Sequence, residues 1–196
     1  MHGTWRAETA AVPHPPTPLR EKACQQVGVA QRWAYPRLAL TALLAVYGWF
    51  LATHPGYFGF IDNIDLAIHE TGHLVFAPFG EFMNVLGGTL FQLIVPLTFV
   101  GYFAKQRDWH AATVPLWWTG QNCWNIARYI SDARAQDLPL VGGGEHDWFW
   151  ILDELDLLHR DLAIGRAVHG IGVVLYIVSV VAGVMLARKV VPPASR

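Results

Sequence analysis

Residues 61–79, IDNIDLAIHETGHLVFAPF, carry five ionisable side chains in an otherwise apolar run. Asp62, Asp65, His69 and His73 are three or four residues apart, so a helix presents all four on one face. In a membrane span, charged groups facing lipid cost about 3 kcal/mol each or more. Such a face has to turn toward other protein or a water-filled cavity, and that requires partner helices.

The rest of the chain supplies apolar segments for that purpose. Of 196 residues 53% are hydrophobic and 15% charged, with a mean hydropathy of +0.28; a soluble domain carries about 25% charged residues. The fold class this implies is all-α, a polytopic integral membrane helix bundle of about five transmembrane helices. The spans fall at 38–53, 61–79, 85–104, 111–131 and 163–187, within a helical domain covering 37–190.

Residues 1–36 read as a mobile Pro-rich leader, without the apolar core of a signal peptide, followed by an interfacial helix ending before Pro36. In the third span, Gly87 and Gly88 allow close helix approach, Gln92 follows one turn later, and Pro96 interrupts the backbone ladder. The fourth span has a polar second half, with Gln121, Asn122, Asn125, Arg128 and Tyr129, then Asp132. Arg128 suits an interfacial position as well as a site. Residues 133–161 form an acidic loop that begins its second half with three glycines, and WFWILDELDLLH in it has the pattern of an amphipathic surface helix. In the last span Gly165, Gly170, Gly172 and Gly183 favour close packing.

Net charge is −1 and the sequence pI about 6.7, which gives no reason to invoke nucleic acid. Cys24 and Cys123 form neither a metal nor a redox pair. Lys and Arg are concentrated before the first span, which places the N-terminus in the cytoplasm of a plasma membrane, such as a bacterial inner membrane.

The pattern His69-Glu70-x-x-His73 is chemically specific. On a helix the two imidazoles lie one turn apart and can share a Zn²⁺, with the intervening glutamate as general base. A catalytic zinc takes three protein ligands and keeps a position open for water. Candidates for the third are Asp132, His146, Asp147, His159 and His169. Asp62 and Asp65 suit helix capping or electrostatic tuning. Gln92 and Asn125 suit substrate positioning, oxyanion stabilisation or helix–helix hydrogen bonding.

IHETGHLV, GGTLFQ (Gly88, Gln92) and NIARYISDA (Asn125, Asp132), in this order, resemble the core of the site-2 protease family of intramembrane zinc metalloproteases. The resemblance covers about a third of the chain. Gln92 stands where that family has Asn, Ser131-Asp132-Ala133 where it has Leu-Asp-Gly, and no PDZ-like module is present. It implies a protease with Zn²⁺ held by His69, His73 and Asp132, Glu70 as catalytic base, and a membrane protein or peptide as substrate. Two other classes fit the same residues: a metal-dependent hydrolase of a lipid or other amphiphile, and a non-catalytic metal-binding subunit assembled with other membrane subunits.

Overall fold

The computed structural model describes residues 18–54, 56–140 and 145–188, and among these every regular element is helical. α1 (Pro18–Thr53) is followed by α2 (Phe60–Phe76), which a 3₁₀ turn at Ala77–Phe79 ends. α3 (Glu81–Lys105) and α4 (Trp109–Ser131) come next, then short α5 (Asp147–Glu154) and long α6 (Asp161–Leu186). The expected leader at 1–17 lies outside the described residues. The expected helix stop before Pro36 is not found, because α1 continues through it. Proline forfeits one backbone bond there, but the Leu- and Ala-rich sequence that follows sustains the helix, and apolar surroundings penalise unwinding.

Among the described residues, three helical stretches are long and apolar enough to cross a membrane: Trp33–Thr53, Glu81–Lys105 and Leu158–Leu186. The second and fourth expected spans do form helices, α2 and α4, but fall outside this group. At 17 residues α2 is about 25 Å long, short of a 30 Å hydrocarbon core. α4 has the length, 23 residues, but its polar second half lowers its hydropathy.

α4 is the hub of the molecule. It packs against α6, α3 and α1 and is buried over most of its length, including Thr119, Gln121 and Asn122. Its crossing with α6 is close because glycines meet there: a Cβ on Gly172 would lie 2.7 Å from the Gly120 carbonyl. Large apolar side chains on the outer faces of α1, α3 and α6, among them Leu43, Val46, Leu97, Phe99, Val174 and Val181, remain exposed. The polar helix is thus inside and the apolar helices wrap it, which is how a bundle with lipid as solvent distributes its residues.

The acidic segment does not form a freely exposed surface helix. The eight residues of α5 pack against α3 and α4, with Ile151 buried and Leu152 in one cluster with Ile130 and Ala133. The indole N–H of Trp148 donates to Thr89 Oγ1 on α3 at 3.2 Å. The apolar face that suggested a membrane surface is spent on the protein's own core. Arg134, just beyond α4, forms a two-pronged ion pair with Asp161 at the start of α6, at 2.7 and 2.8 Å, and so ties down both ends of the segment.

Candidate metal centre

α2 places its polar face against α3 because both helices have glycine at the crossing. A Cβ on Gly72 would collide with the Gly87 carbonyl, and one on Gly87 would lie 2.8 Å from the Gly72 carbonyl. One position on, Gly88 leaves the space in which the His69 ring sits, since a Cβ there would be 2.5 Å from His69 Nε2. The glycine pair expected to permit close approach does so, and its second member seats an imidazole.

The two histidines are oriented through Nδ1. His73 donates from Nδ1 to the backbone carbonyl of Asn84 at 2.8 Å, and His69 donates from Nδ1 to Gln92 Oε1 at 3.2 Å. Both Nε2 atoms then face Asp147 Oδ2, at 2.9 Å from His69 and 3.4 Å from His73. The ligand-type atoms of the three residues all lie within 4.8 Å of one another. Three electron-pair donors converge, and only protons or a cation can occupy the space between them. Ligand atoms of a tetrahedral zinc sit about 3.3 Å apart at the usual bond lengths, and the observed separations bracket that value.

Asp147 reaches the centre because α5 is docked. Its backbone N–H donates to Tyr129 Oη on α4 at 3.2 Å. The preceding residue, His146, caps α5, its Nδ1 accepting from Phe149 N at 3.2 Å, and its ring lies 4.1 Å from that of Tyr129.

Asp132, the third ligand implied by the resemblance, is placed elsewhere. It ends α4 and accepts from the backbone N–H groups of Asp137 and Leu138 at 3.0 and 3.1 Å, with Oδ2 3.3 Å from His146 Nε2. Its seven-residue spacing from Asn125 puts it on the expected helix face but does not carry it to the histidines. His159 is exposed and adjoins Arg160, while His169 packs near Trp124 on α6. Neither joins the cluster.

Glu70 is exposed and close enough to act electrostatically on His73 and Tyr129, and no hydrogen bond ties it down among the described residues. Asp62 performs the capping role, with Oδ2 accepting from Gly59 N at 2.7 Å. Asp65 accepts from the Trp118 indole at 2.8 Å. Gln92 and Asn125 are bonded to each other, Gln92 Nε2 donating to Asn125 Oδ1 at 3.0 Å. Arg128 donates to the Tyr57 carbonyl at 3.1 Å and lies over the Phe58 ring. A cavity of about 330 Å³ between α4 and α6 is lined by Asp132, Arg166 and His169 among others, and by no member of the metal cluster.

Sequence reasoning named Asp147 among several candidates without singling it out. The only local signal is that Asp147 is an acidic first-turn residue right after a helix cap and before the apolar run WFWIL, a position that a helix N-terminus favours for a carboxylate but that does not by itself select a ligand. No protein-family model, curated protein or solved structure matches this chain.

Proposed function

We propose that the protein is a zinc-dependent intramembrane metallopeptidase with His69, His73 and Asp147 as metal ligands and Glu70 as general base. The observation that carries this reading is the convergence of two Nδ1-anchored imidazoles and one carboxylate beside an exposed, unanchored glutamate on the same helix. Two nitrogens and one carboxylate oxygen are a donor set that catalytic zinc commonly takes. When bound, zinc would lower the pKa of its water and polarise the carbonyl under attack. Glu70 takes the proton of the attacking water and delivers it to the amide nitrogen as the C–N bond breaks, giving a carboxylate and an amine. Tyr129 holds the backbone of Asp147, and Gly88 leaves His69 its place.

On this reading α2 and α4 are also within the bilayer, making five spans, with the apolar faces of α1, α3 and α6 toward lipid and the polar faces of α2 and α4 inward. The substrate is an unwound segment of a membrane protein or peptide, reaching the centre on the side where Glu70 is exposed.

The test is zinc content and hydrolysis in the detergent-purified protein. Wild type is expected to hold stoichiometric zinc and to cleave a transmembrane peptide. His69→Ala is expected to lose both, and Glu70→Gln to keep zinc while losing cleavage. Wild-type protein that takes up no zinc would refute the reading, and cleavage of a lipid ester but no peptide would replace its substrate class.

A further inference from the structure

We propose that Asp62, Asn125 and Gln92 form a hydrogen-bond chain with a fixed direction, and that this chain sets the tautomer of His69 and so aims its Nε2 at the metal. The inference rests on the reading of His69 as a metal ligand and assigns to three residues outside that ligand set a role in positioning it.

The direction starts at Asp62, whose two carboxyl oxygens both accept from N–H groups. One oxygen accepts from Gly59 N at 2.7 Å, and the other accepts from Asn125 Nδ2 at 2.9 Å. With its NH₂ committed there, Asn125 presents Oδ1 to Gln92 Nε2 at 3.0 Å. With its own NH₂ so used, Gln92 presents Oε1 to His69 Nδ1 at 3.2 Å. The last bond forms only if Nδ1 carries a proton, which leaves the Nε2 lone pair for a ligand. Neither amide can flip without setting two acceptors or two donors against each other. Water cannot substitute at Gln92 or Asp62, which are 2% and 5% exposed.

The chain leaves α2 at Asp62, crosses to α4 and then to α3, and returns to α2 at His69 two turns further on. A group that orients a metal-bound histidine in this way is typically worth 10- to 100-fold in metal affinity. Simple hydrogen bonding between helices would bind the same three elements, but it has no preferred direction, and that is what an experiment can read.

Zinc affinity is measured by chelator competition, with helicity and thermal midpoint recorded on the same samples. Gln92→Met, which removes both ends of the amide, is expected to weaken zinc binding by about 10- to 100-fold. Gln92→Glu keeps an acceptor for His69 Nδ1 but sets a carboxylate against Asn125 Oδ1. It is expected to be the less stable of the two and yet to bind zinc within several-fold of wild type. Asn125→Ala, one bond further from the ring, should lose several-fold. Zinc affinity that follows thermal stability, with Gln92→Glu weakest, would overturn the chain in favour of plain helix bonding, as would a wild-type affinity in folded Gln92→Met. Failure of the wild-type protein to bind zinc would instead remove the metal reading itself, and the chain with it.

Discussion

Two histidine–aspartate groups meet at the start of α5, both with Nε2 toward a carboxylate, and they differ in which ring nitrogen carries the proton. His146 uses Nδ1 as an acceptor, taking the Phe149 N–H, so a neutral ring carries its proton on Nε2, which lies 3.3 Å from Asp132 Oδ2 without the alignment of a hydrogen bond. Burial pushes the His146 pKa below its ordinary value in spite of Asp132, which keeps the ring neutral. His69 and His73 do the reverse: each donates from Nδ1 to a protein oxygen, and the lone pairs at Nε2 converge on Asp147. In the first pair a proton-bearing nitrogen lies beside a carboxylate, which leaves no place for a cation. The second has three acceptors facing one another and calls for a cation. Residue type does not separate a strut from a ligand set here; the partner of the other ring nitrogen does.

The comparison breaks first if the two aspartates can be exchanged. Asp147→Ala removes a ligand and is expected to lower zinc affinity by more than the roughly 100-fold attached to loss of an outer partner, measured by chelator competition. A wild-type zinc affinity in this variant would show that the third ligand lies elsewhere. Next in size is Gly88→Ala. The new methyl would meet the far end of the His69 side chain rather than backbone, so the ring can swing away and the fold survives. Zinc affinity is expected to fall at least tenfold, about what a displaced ligand orientation costs, with the helical circular dichroism unchanged. Gly170→Ala, which meets nothing within 4 Å, is the matched control.

Much of this arrangement is legible in local sequence. Asp62, Asp65, His69 and His73 share a helix face because their spacing follows the helical period, and Gly87 and Gly88 mark the crossing at which that face is seated. The proposed third ligand is of another kind. Asp147 lies 78 residues from His69 in the chain, and no periodicity reports such a contact. Asp132 shares a face with Asn125, yet a face says nothing about reach, and the end of a helix offers an aspartate nearer partners in Asp137 N and Leu138 N. The two differences in the fold have the same origin. Pro36 has a strong local meaning that a long Leu/Ala-rich helix overrides. The WFWIL face advertises an apolar partner without saying whether it is lipid or the Ile130–Ala133 cluster.

Smaller effects are expected on the His146–Asp132 pair, in stability rather than in metal binding. Asp132→Ala removes acceptors from two backbone N–H groups and the carboxylate beside His146 Nε2, a loss of about 1–2 kcal/mol. It should lower the unfolding midpoint while zinc affinity stays within a few-fold of wild type. A loss of zinc comparable to that of Asp147→Ala would mean that the two contacts are one site.

The smallest effect divides the roles of His146 itself. As the cap of α5 it offers Nδ1 to Phe149 N, and as a ring it packs at a tilt against Tyr129 and lies beside Asp132. Asparagine caps helices well, so His146→Asn keeps the first role and gives up the second, whereas His146→Ala gives up both. If the cap is what docks α5, alanine should cost about 1 kcal/mol more than asparagine, measured by denaturant unfolding, and only alanine should weaken zinc binding, because a frayed first turn lets Asp147 drift from the histidines. Equal losses in the two variants would put the docking in the ring packed against Tyr129, and the route by which Asp147 is held would then run through α4 instead of through the start of α5.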